Sequence, residues 1–165
     1  MIKKLKNIKV CAMDVDGVLT DGRIVYDGLG RELKFFDVRD GCGISRLRKA
    51  GLKAAVISAR SCRAVKARMD DLKIDAVYLA AYPKLAAYES MLEKFGVIDA
   101  EVCYIGDDLP DVPVLKRAGF AVAVANASGD VKKVVHYVTK NKGGRGAVRE
   151  VIERILKAQG KWKAE

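Results

Sequence analysis

Short apolar runs alternate with amphipathic segments along most of the chain, and this alternation constrains the fold more than any other feature. The runs have the length of buried strands, and the segments between them have the length and periodicity of helices. Predicted strands span 8–13, 52–57, 76–79, 102–105 and 121–124. Predicted helices span 43–50, 62–72, 84–95, 111–118, 128–136 and 145–159. Because crossover helices join parallel strands, the pattern predicts an α/β fold, a three-layer sandwich with a central parallel sheet.

Residues 21–38 interrupt the alternation. The segments Arg-Ile-Val-Tyr and Glu-Leu-Lys-Phe-Phe flank the sequence Asp-Gly-Leu-Gly, a pattern typical of two short strands around a turn. We therefore predict a β-hairpin here. It begins just after two acidic residues at 14 and 16, so it is placed to fold over them as a flap.

Size and composition indicate one domain spanning 1–165. The chain has 165 residues, of which 50% are hydrophobic, and no linker or shift in composition divides it. Its first residues alternate charged with apolar side chains, so neither a signal peptide nor a membrane span is predicted and a cytoplasmic location is expected. The 4 cysteines are far apart and contain no Cys-x-x-Cys pair, which argues against a disulfide framework or a zinc site.

The net charge of +10 raises the question of nucleic-acid binding. However, lysines and arginines are spread along the chain and mixed with acids, and aromatic residues do not interleave with them as base-stacking platforms would. A positive field that attracts a small anionic substrate fits this distribution. We expect no nucleic-acid partner and no membrane partner.

Functional side chains follow the predicted strands at their carboxyl ends, where open parallel sheets bind ligands. Asp14 and Asp16 follow the first strand, and Ser58 follows the second. Lys84 follows the third strand after a short loop, and Asp107 follows the fourth. Grouped carboxylates need a cation, and oxygen ligands suit Mg²⁺. With a hydroxyl and an ammonium group added, the set predicts phosphoryl transfer.

The acids at 14 and 16 reach one site only if the chain bends at the second, because alternate residues of a strand point to opposite faces. Gly17 permits that bend. One carboxylate then acts as nucleophile or metal ligand while the other transfers protons. The alternative is a strand that ends in a simple Asp-Gly turn.

Other members of the set also have structural interpretations. Lys84 follows Pro83, and a lysine there is typically an exposed residue at a helix start. Asp108 and Asp111 are typical of a turn and a helix cap, which would support the site without binding the metal.

Four motifs of this chain resemble, in order and in strand-end position, those of the haloacid dehalogenase superfamily. They are Asp14-x-Asp16-Gly-Val-Leu-Thr, Ser58, Lys84 and Gly106-Asp107-Asp108-x-x-Asp111. The resemblance implies that Asp14 is the nucleophile, forming an aspartyl-phosphate, and that Asp16 is the general acid and base. It implies Mg²⁺ held by the Asp14 side chain, the Asp16 carbonyl and the Asp107 side chain. Ser58 and Lys84 would bind the phosphoryl oxygens.

The resemblance extends further, to a capless family. The opening Asp-Gly-Val-Leu-Thr-Asp-Gly and residues 38–44 and 143–150 are similar to 3-deoxy-D-manno-octulosonate 8-phosphate phosphatases. This implies a Rossmann-like fold without a cap domain, a role in lipopolysaccharide sugar synthesis, and a homotetramer in which a neighbour's hairpin and C-terminal tail close each site. The sugar-acid contacts implied are Asp16, Asp37, Val38, Arg39, Asp40, Gly41, Arg60, Arg68 and Lys84.

The run Gly143-Gly144-Arg145-Gly146 has two interpretations: a flexible connector, or, by the resemblance, a mobile tail that brings Arg145 to a neighbour's substrate. Arg60 and Arg68 have the spacing of two residues on one helix face, where ion pairing is the default.

Three functions stay open at this point. The first is a Mg²⁺-dependent phosphatase for the octulosonate 8-phosphate, and the second is a phosphatase for another sugar-acid phosphate, such as a nonulosonate 9-phosphate. The third is a non-catalytic oligomerisation domain of the same fold.

Overall fold

The structure, a computed structural model, describes residues 2–163. The strands are β1 Val10–Met13, β2 Val25–Tyr26, β3 Glu32–Leu33, β4 Lys53–Ile57, β5 Ala76–Tyr78, β6 Val102–Gly106, β7 Phe120–Ala123 and β8 Tyr137–Val138. The helices are α1 Ile2–Lys6, α2 Val38–Lys49, α3 Arg63–Asp71, α4 Lys84–Phe95, α5 Val112–Leu115, α6 Gly129–Lys133 and α7 Ala147–Ala158. Short 3-10 turns precede β6 and α5.

The central sheet has six strands in the order β5-β4-β1-β6-β7-β8, and every neighbouring pair is parallel. From β1 the chain adds strands on one side, through β4 and β5, and then on the other, through β6 to β8. The carboxyl end of β1 is therefore the topological switch point, where such sheets bind ligands. Helices flank the sheet, and the predicted α/β sandwich with a parallel sheet is confirmed.

The core explains why the strands are nearly continuous apolar runs. Every residue of β1, β6 and β7 is buried, as expected for parallel strands covered on both faces. Helix α7 packs against α1 and α2. Its buried residues recur at a helical period, so one face of the helix closes the core. They are Ala147, Val148, Val151, Ile152, Ile155 and Leu156.

The predicted hairpin is confirmed: β2 and β3 pair antiparallel, and the Gly30 amide donates to the Asp27 carbonyl oxygen at 3.0 Å. In the part of the chain from 2 to 163, only this hairpin and ordinary crossover segments separate the motifs, and no cap domain is present.

Several element bounds differ from those predicted. Helix α2 begins at Val38, not at 43, because the Asp37 side chain caps it by accepting from the Arg39 amide. Helix α6 ends at Lys133, three residues before the predicted end at 136. Strand β8 was not predicted, because its two residues form a strand only by pairing with β7.

Two other observations concern membrane-spanning helices and the extent of the hydrophobic core. Between residues 2 and 163, none of the helices has the length and apolar character that a bilayer span requires. One hydrophobic cluster joins Leu5, near the start of the chain, to Leu156 in the last helix.

Candidate active site

Three neighbouring strand ends build the site. Asp14 directly follows β1, Ser58 follows β4 and Asp107 follows β6, and β1 lies between the other two. A cleft of about 310 Å³ opens above them, and its lining includes Asp14, Asp16, Arg60, Lys84 and Asp107. The structure therefore brings the predicted acids and the lysine together.

The acidic turn bends where the sequence predicts it. Gly17 has a φ of 87°, a conformation that side chains rarely adopt. The turn is closed by hydrogen bonds within itself: the Thr20 hydroxyl accepts from the Gly17 amide at 3.3 Å, and the Leu19 amide donates to the Val15 carbonyl oxygen at 2.9 Å. Asp14 and Asp16 consequently both line one cleft, an arrangement that a simple turn does not require and that favours the site interpretation.

Lys84 is a central buried cation. Its side chain is 1% exposed, and its Nζ lies 2.7 Å from Asp14 Oδ2 and 2.7 Å from Asp111 Oδ1. Burial acts to lower the pKa of Lys84, but attraction to Asp111 and Asp14 outweighs it, and the pKa is raised. The exposed-lysine interpretation is wrong.

Asp111 supports the other groups. Its Oδ1 accepts from Lys84 Nζ and, at 2.8 Å, from the Tyr104 hydroxyl. Its Oδ2 accepts from the backbone amides of Asp107 at 2.9 Å and Asp108 at 3.3 Å. Both oxygens are thus engaged in orienting the lysine and the turn after β6, as a supporting residue requires.

The carboxylates are crowded enough to favour a metal. Oxygen atoms of Asp14, Asp107 and Asp111 lie within 4.8 Å of one another. Burial, followed by the charge of Asp111, raises the pKa of Asp14 to about 6 and that of Asp107 to about 7. Lys84 offsets only one of the three negative charges. Oxygen donors with excess negative charge fit a hard divalent cation such as Mg²⁺.

Ser58 is held at the end of β4. It is 2% exposed, its amide donates to the Tyr78 carbonyl oxygen at 2.9 Å, and its Oγ accepts from the Arg60 amide at 3.2 Å. These contacts hold Ser58 at the end of β4, and the next two residues, Ala59 and Arg60, line the cleft.

The two predicted arginines occupy different places. Arg60 precedes α3, lines the cleft, and donates through Nη2 to Glu32 Oε1 at 3.0 Å. Arg68 lies on α3 and pairs with Asp71 at 2.7 Å. The expectation of one shared helix face is wrong because the helix begins only at Arg63.

The remaining predicted sugar-acid contacts lie outside this cleft. Asp37, Val38 and Arg39 line a second cavity of about 450 Å³. Asp40 is buried and accepts from the Gly146 and Arg149 amides, so it caps the start of α7. Gly41 is also buried, and a Cβ there would lie 2.4 Å from Arg68 Nη2. Within one chain the predicted substrate residues are therefore dispersed. Some line the cleft (Asp16, Arg60 and Lys84), some line the second cavity (Asp37, Val38 and Arg39), and some line neither (Asp40, Gly41 and Arg68).

The glycine run packs against the acidic turn of its own chain. The Gly144 amide donates to the Val18 carbonyl oxygen at 2.8 Å, and the Gly143 amide donates to Asn126 Oδ1 at 2.8 Å. A Cβ on Gly143 would lie 1.7 Å from the Gly17 carbonyl oxygen. The flexible-connector interpretation is therefore wrong for Gly143 and Gly144, which form part of the site's support.

Two hairpin residues at the site were missed from the sequence. Lys34 Nζ lies 2.5 Å from Asp16 Oδ1 and 2.7 Å from Glu32 Oε1, and its side chain is 1% exposed. The signal was the spacing of Glu32 and Lys34, because residues two apart along a strand share one face.

Comparison with known proteins agrees with this geometry. Residues 77–152 match the haloacid dehalogenase-like hydrolases. The chain is 44% identical over 161 residues to the 3-deoxy-D-manno-octulosonate 8-phosphate phosphatase of Escherichia coli, covering 98% of this chain and 86% of that protein.

Solved structures give the same result. The phosphatase of the same name from Yersinia pestis is 44% identical, with a TM-score of 0.95 over 97% of this chain and 86% of that one. The one from Moraxella catarrhalis, solved with magnesium ion, phosphate ion and KDO, is 43% identical, with a TM-score of 0.94 over 96% and 91% of the two chains. With these identities spread over nearly the whole chain, this protein belongs to the 3-deoxy-D-manno-octulosonate 8-phosphate phosphatase family of haloacid dehalogenase-like hydrolases.

Proposed function

We propose that this protein is a Mg²⁺-dependent phosphatase that hydrolyses 3-deoxy-D-manno-octulosonate 8-phosphate to the free sugar acid and phosphate, through an aspartyl-phosphate. The observation that carries the proposal is the placement of Asp14 against buried Lys84 at the switch point, with Asp107 beside it. The names and bound ligands of the relatives support the substrate.

Asp14 is the proposed nucleophile. One of its carboxylate oxygens forms a bond to phosphorus while the bond from phosphorus to the sugar oxygen breaks. Asp16 gives its proton to that leaving oxygen. Lys84, 2.7 Å from Asp14, orients the attacking carboxylate and, with Ser58, binds the phosphoryl oxygens.

The second half of the reaction releases phosphate. Asp16, now ionised, takes a proton from a water molecule, and the water oxygen bonds to phosphorus while the bond to Asp14 breaks. The side chains of Asp14 and Asp107 and the carbonyl of Asp16 would hold Mg²⁺. When bound, the ion neutralises charge on the transferring phosphoryl group.

A homotetramer is the proposed assembly. The hairpin and the segment after it expose large apolar side chains, which a monomer in water rarely does over a continuous area. They are Ile24, Tyr26, Leu29, Leu33, Phe35 and Val38. Association would cover them and could bring a neighbour's contacts to the cleft. Light scattering is expected to give four subunits, and a monomeric mass would contradict the assembly.

We also propose that residues 1–165 form one domain, that the protein acts in the cytoplasm, and that it serves lipopolysaccharide sugar synthesis. The hydrophobic cluster that joins Leu5 to Leu156 supports the first.

Steady-state kinetics with a panel of sugar-acid phosphates tests the function. We expect the highest kcat/KM for the octulosonate 8-phosphate. A higher value for a nonulosonate 9-phosphate would favour the second candidate, and no hydrolysis of any phosphate with Mg²⁺ would favour the non-catalytic one.

A further inference from the structure

Lys34 is a charged residue buried in a hairpin that is otherwise mostly exposed. Its side chain is 1% exposed, and Nζ contacts Asp16 Oδ1 at 2.5 Å and Glu32 Oε1 at 2.7 Å. Burial acts to lower the pKa of Lys34, but hydrogen bonds to Asp16 and Glu32 outweigh it, and the pKa is raised. A buried cation held by two carboxylates is a specific arrangement, because an unpaired one would be strongly disfavoured.

Arg60 closes this arrangement into a ring. Its Nη2 donates to Glu32 Oε1 at 3.0 Å, and its Nε lies 3.6 Å from Asp16 Oδ2. Asp16, Lys34, Glu32 and Arg60 therefore alternate in charge around a closed ring with no net charge. The ring joins three segments: the acidic turn after β1, the hairpin, and the loop after β4.

The ring controls where the Asp16 carboxylate points. One oxygen faces Lys34 and the other faces Arg60, so rotation of the carboxylate would break a contact on either side. Thr20 adds only a long contact, 3.5 Å from its Oγ1 to Asp16 Oδ1. The shortest contact of the Asp16 side chain thus comes from the hairpin and not from the sheet.

We propose that Lys34 is a positioning residue for proton transfer: it holds the Asp16 carboxylate in the orientation from which Asp16 protonates the leaving oxygen, and Glu32 holds Lys34. The inference rests on the proposed function, in which Asp16 is the general acid. Within residues 2–163, the ion pairs of Lys34 are with Asp16 and Glu32 and not with Asp14. Its loss should therefore impair leaving-group protonation more than nucleophilic attack.

Dependence on the leaving group separates these two effects. An acidic phenol such as p-nitrophenol departs without a proton. Less acidic leaving groups, phenol and then sugar alcohols, depend increasingly on protonation by a general acid. The value of kcat/KM reports the steps up to leaving-group departure, so it excludes the later attack of water. A series of substituted phenyl phosphates keeps binding similar while the leaving group changes.

The experiment measures kcat/KM for this series with wild type, Lys34→Met and Arg31→Met. Arg31 is the matched control because it is a hairpin cation that pairs with Asp27, and neither residue lines the cleft. For Lys34→Met we expect a kcat/KM close to wild type with p-nitrophenyl phosphate. With phenyl phosphate the loss should be about tenfold greater, within the range for general acid catalysis. Arg31→Met should show the wild-type dependence.

The inference would be overturned if Lys34→Met lost kcat/KM equally for all leaving groups. It would also be overturned if Lys34→Met and Arg31→Met showed the same dependence of kcat/KM on the leaving group. Lys34→Gln, which places a polar amide at the buried position, is the second variant in case the methionine prevents folding. In Lys34→Gln, kcat/KM should also depend on the leaving group more steeply than in wild type. A wild-type dependence in this variant would count against the positioning role of Lys34. The proposed function is judged separately, by the hydrolysis of the octulosonate 8-phosphate by wild type.

Discussion

A Cβ atom on Gly17 would lie 2.0 Å from Oδ2 of Asp107, so the acidic turn and the turn after β6 fit together only because position 17 has no side chain. The φ of 87° at Gly17 adds a second reason for glycine. The close packing of the acidic turn against Asp107, a proposed metal ligand, thus depends on glycine at position 17.

Gly17→Ala should displace Asp107 and strain the turn. We expect a loss of stability of about 1–3 kcal/mol from backbone strain and a marked loss of activity. Thermal unfolding and phosphate release measure the two effects. Gly28→Ala in the hairpin turn is the control, because a Cβ there meets no atom within 4 Å. Full activity of Gly17→Ala would show that the close approach is not needed.

Asp14→Asn should abolish turnover without unfolding the protein, because an amide is a poor nucleophile while the buried Lys84 keeps Asp111 as a partner. The expected loss of kcat is at least about 10³-fold. Phosphate release and a melting temperature near that of wild type are the measurements. Asp70→Asn, on an exposed position of α3, is the matched control. Substantial activity in Asp14→Asn would rule out the nucleophile assigned.

Removal of the metal should abolish activity, because the carboxylates of Asp14, Asp107 and Asp111 would then face each other with only Lys84 to offset their charge. We expect dialysis against EDTA to eliminate phosphate release and added Mg²⁺ to restore it. Mg²⁺ should also raise the melting temperature of the wild type, since a ligand that binds only the folded state stabilises it. Asp107→Asn should lose most of that increase. Activity that survives EDTA would contradict the metal dependence.

Asp40 predicts a pH dependence of stability. Burial is the main cause that raises its pKa from 3.8 to about 6 in the folded state. The folded state therefore holds the Asp40 proton more tightly than the unfolded state does. As pH rises from about 4, loss of this proton lowers the free energy of unfolding, and the loss is complete above about pH 6. Relative to Asp40→Asn, wild type should lose about 3 kcal/mol of unfolding free energy over that range.

Urea unfolding at several pH values between 4 and 7 measures this difference. Asp27→Asn is the control, because hydrogen bonds from Arg31 lower the pKa of Asp27. The effect of this carboxyl group on stability develops below about pH 4, so between pH 4 and 7 its variant should differ from wild type by a nearly constant amount. A difference between wild type and Asp40→Asn that does not vary with pH would show that burial does not perturb this carboxyl group.

The alternation of apolar and amphipathic segments was enough to predict five of the six sheet strands and the strand-end site, but not β8. Helix α4 begins and ends at the predicted residues, Lys84 and Phe95. The strand ends then placed Asp14, Ser58 and Asp107 at one edge, because parallel strands direct their carboxyl ends the same way. This information is local: periodicity and turn residues act over a few neighbours in the chain.

Only the tertiary structure decided what those residues contact. Lys84 became a buried cation because Asp111 and Asp14 surround it, and Lys34 became one because a hairpin folds back onto Asp16. Asp40 caps a helix more than 100 residues away in the chain. Such contacts join segments far apart in sequence, so their burial and charge pairing depend on how the whole chain packs. Local sequence pattern does not carry that information.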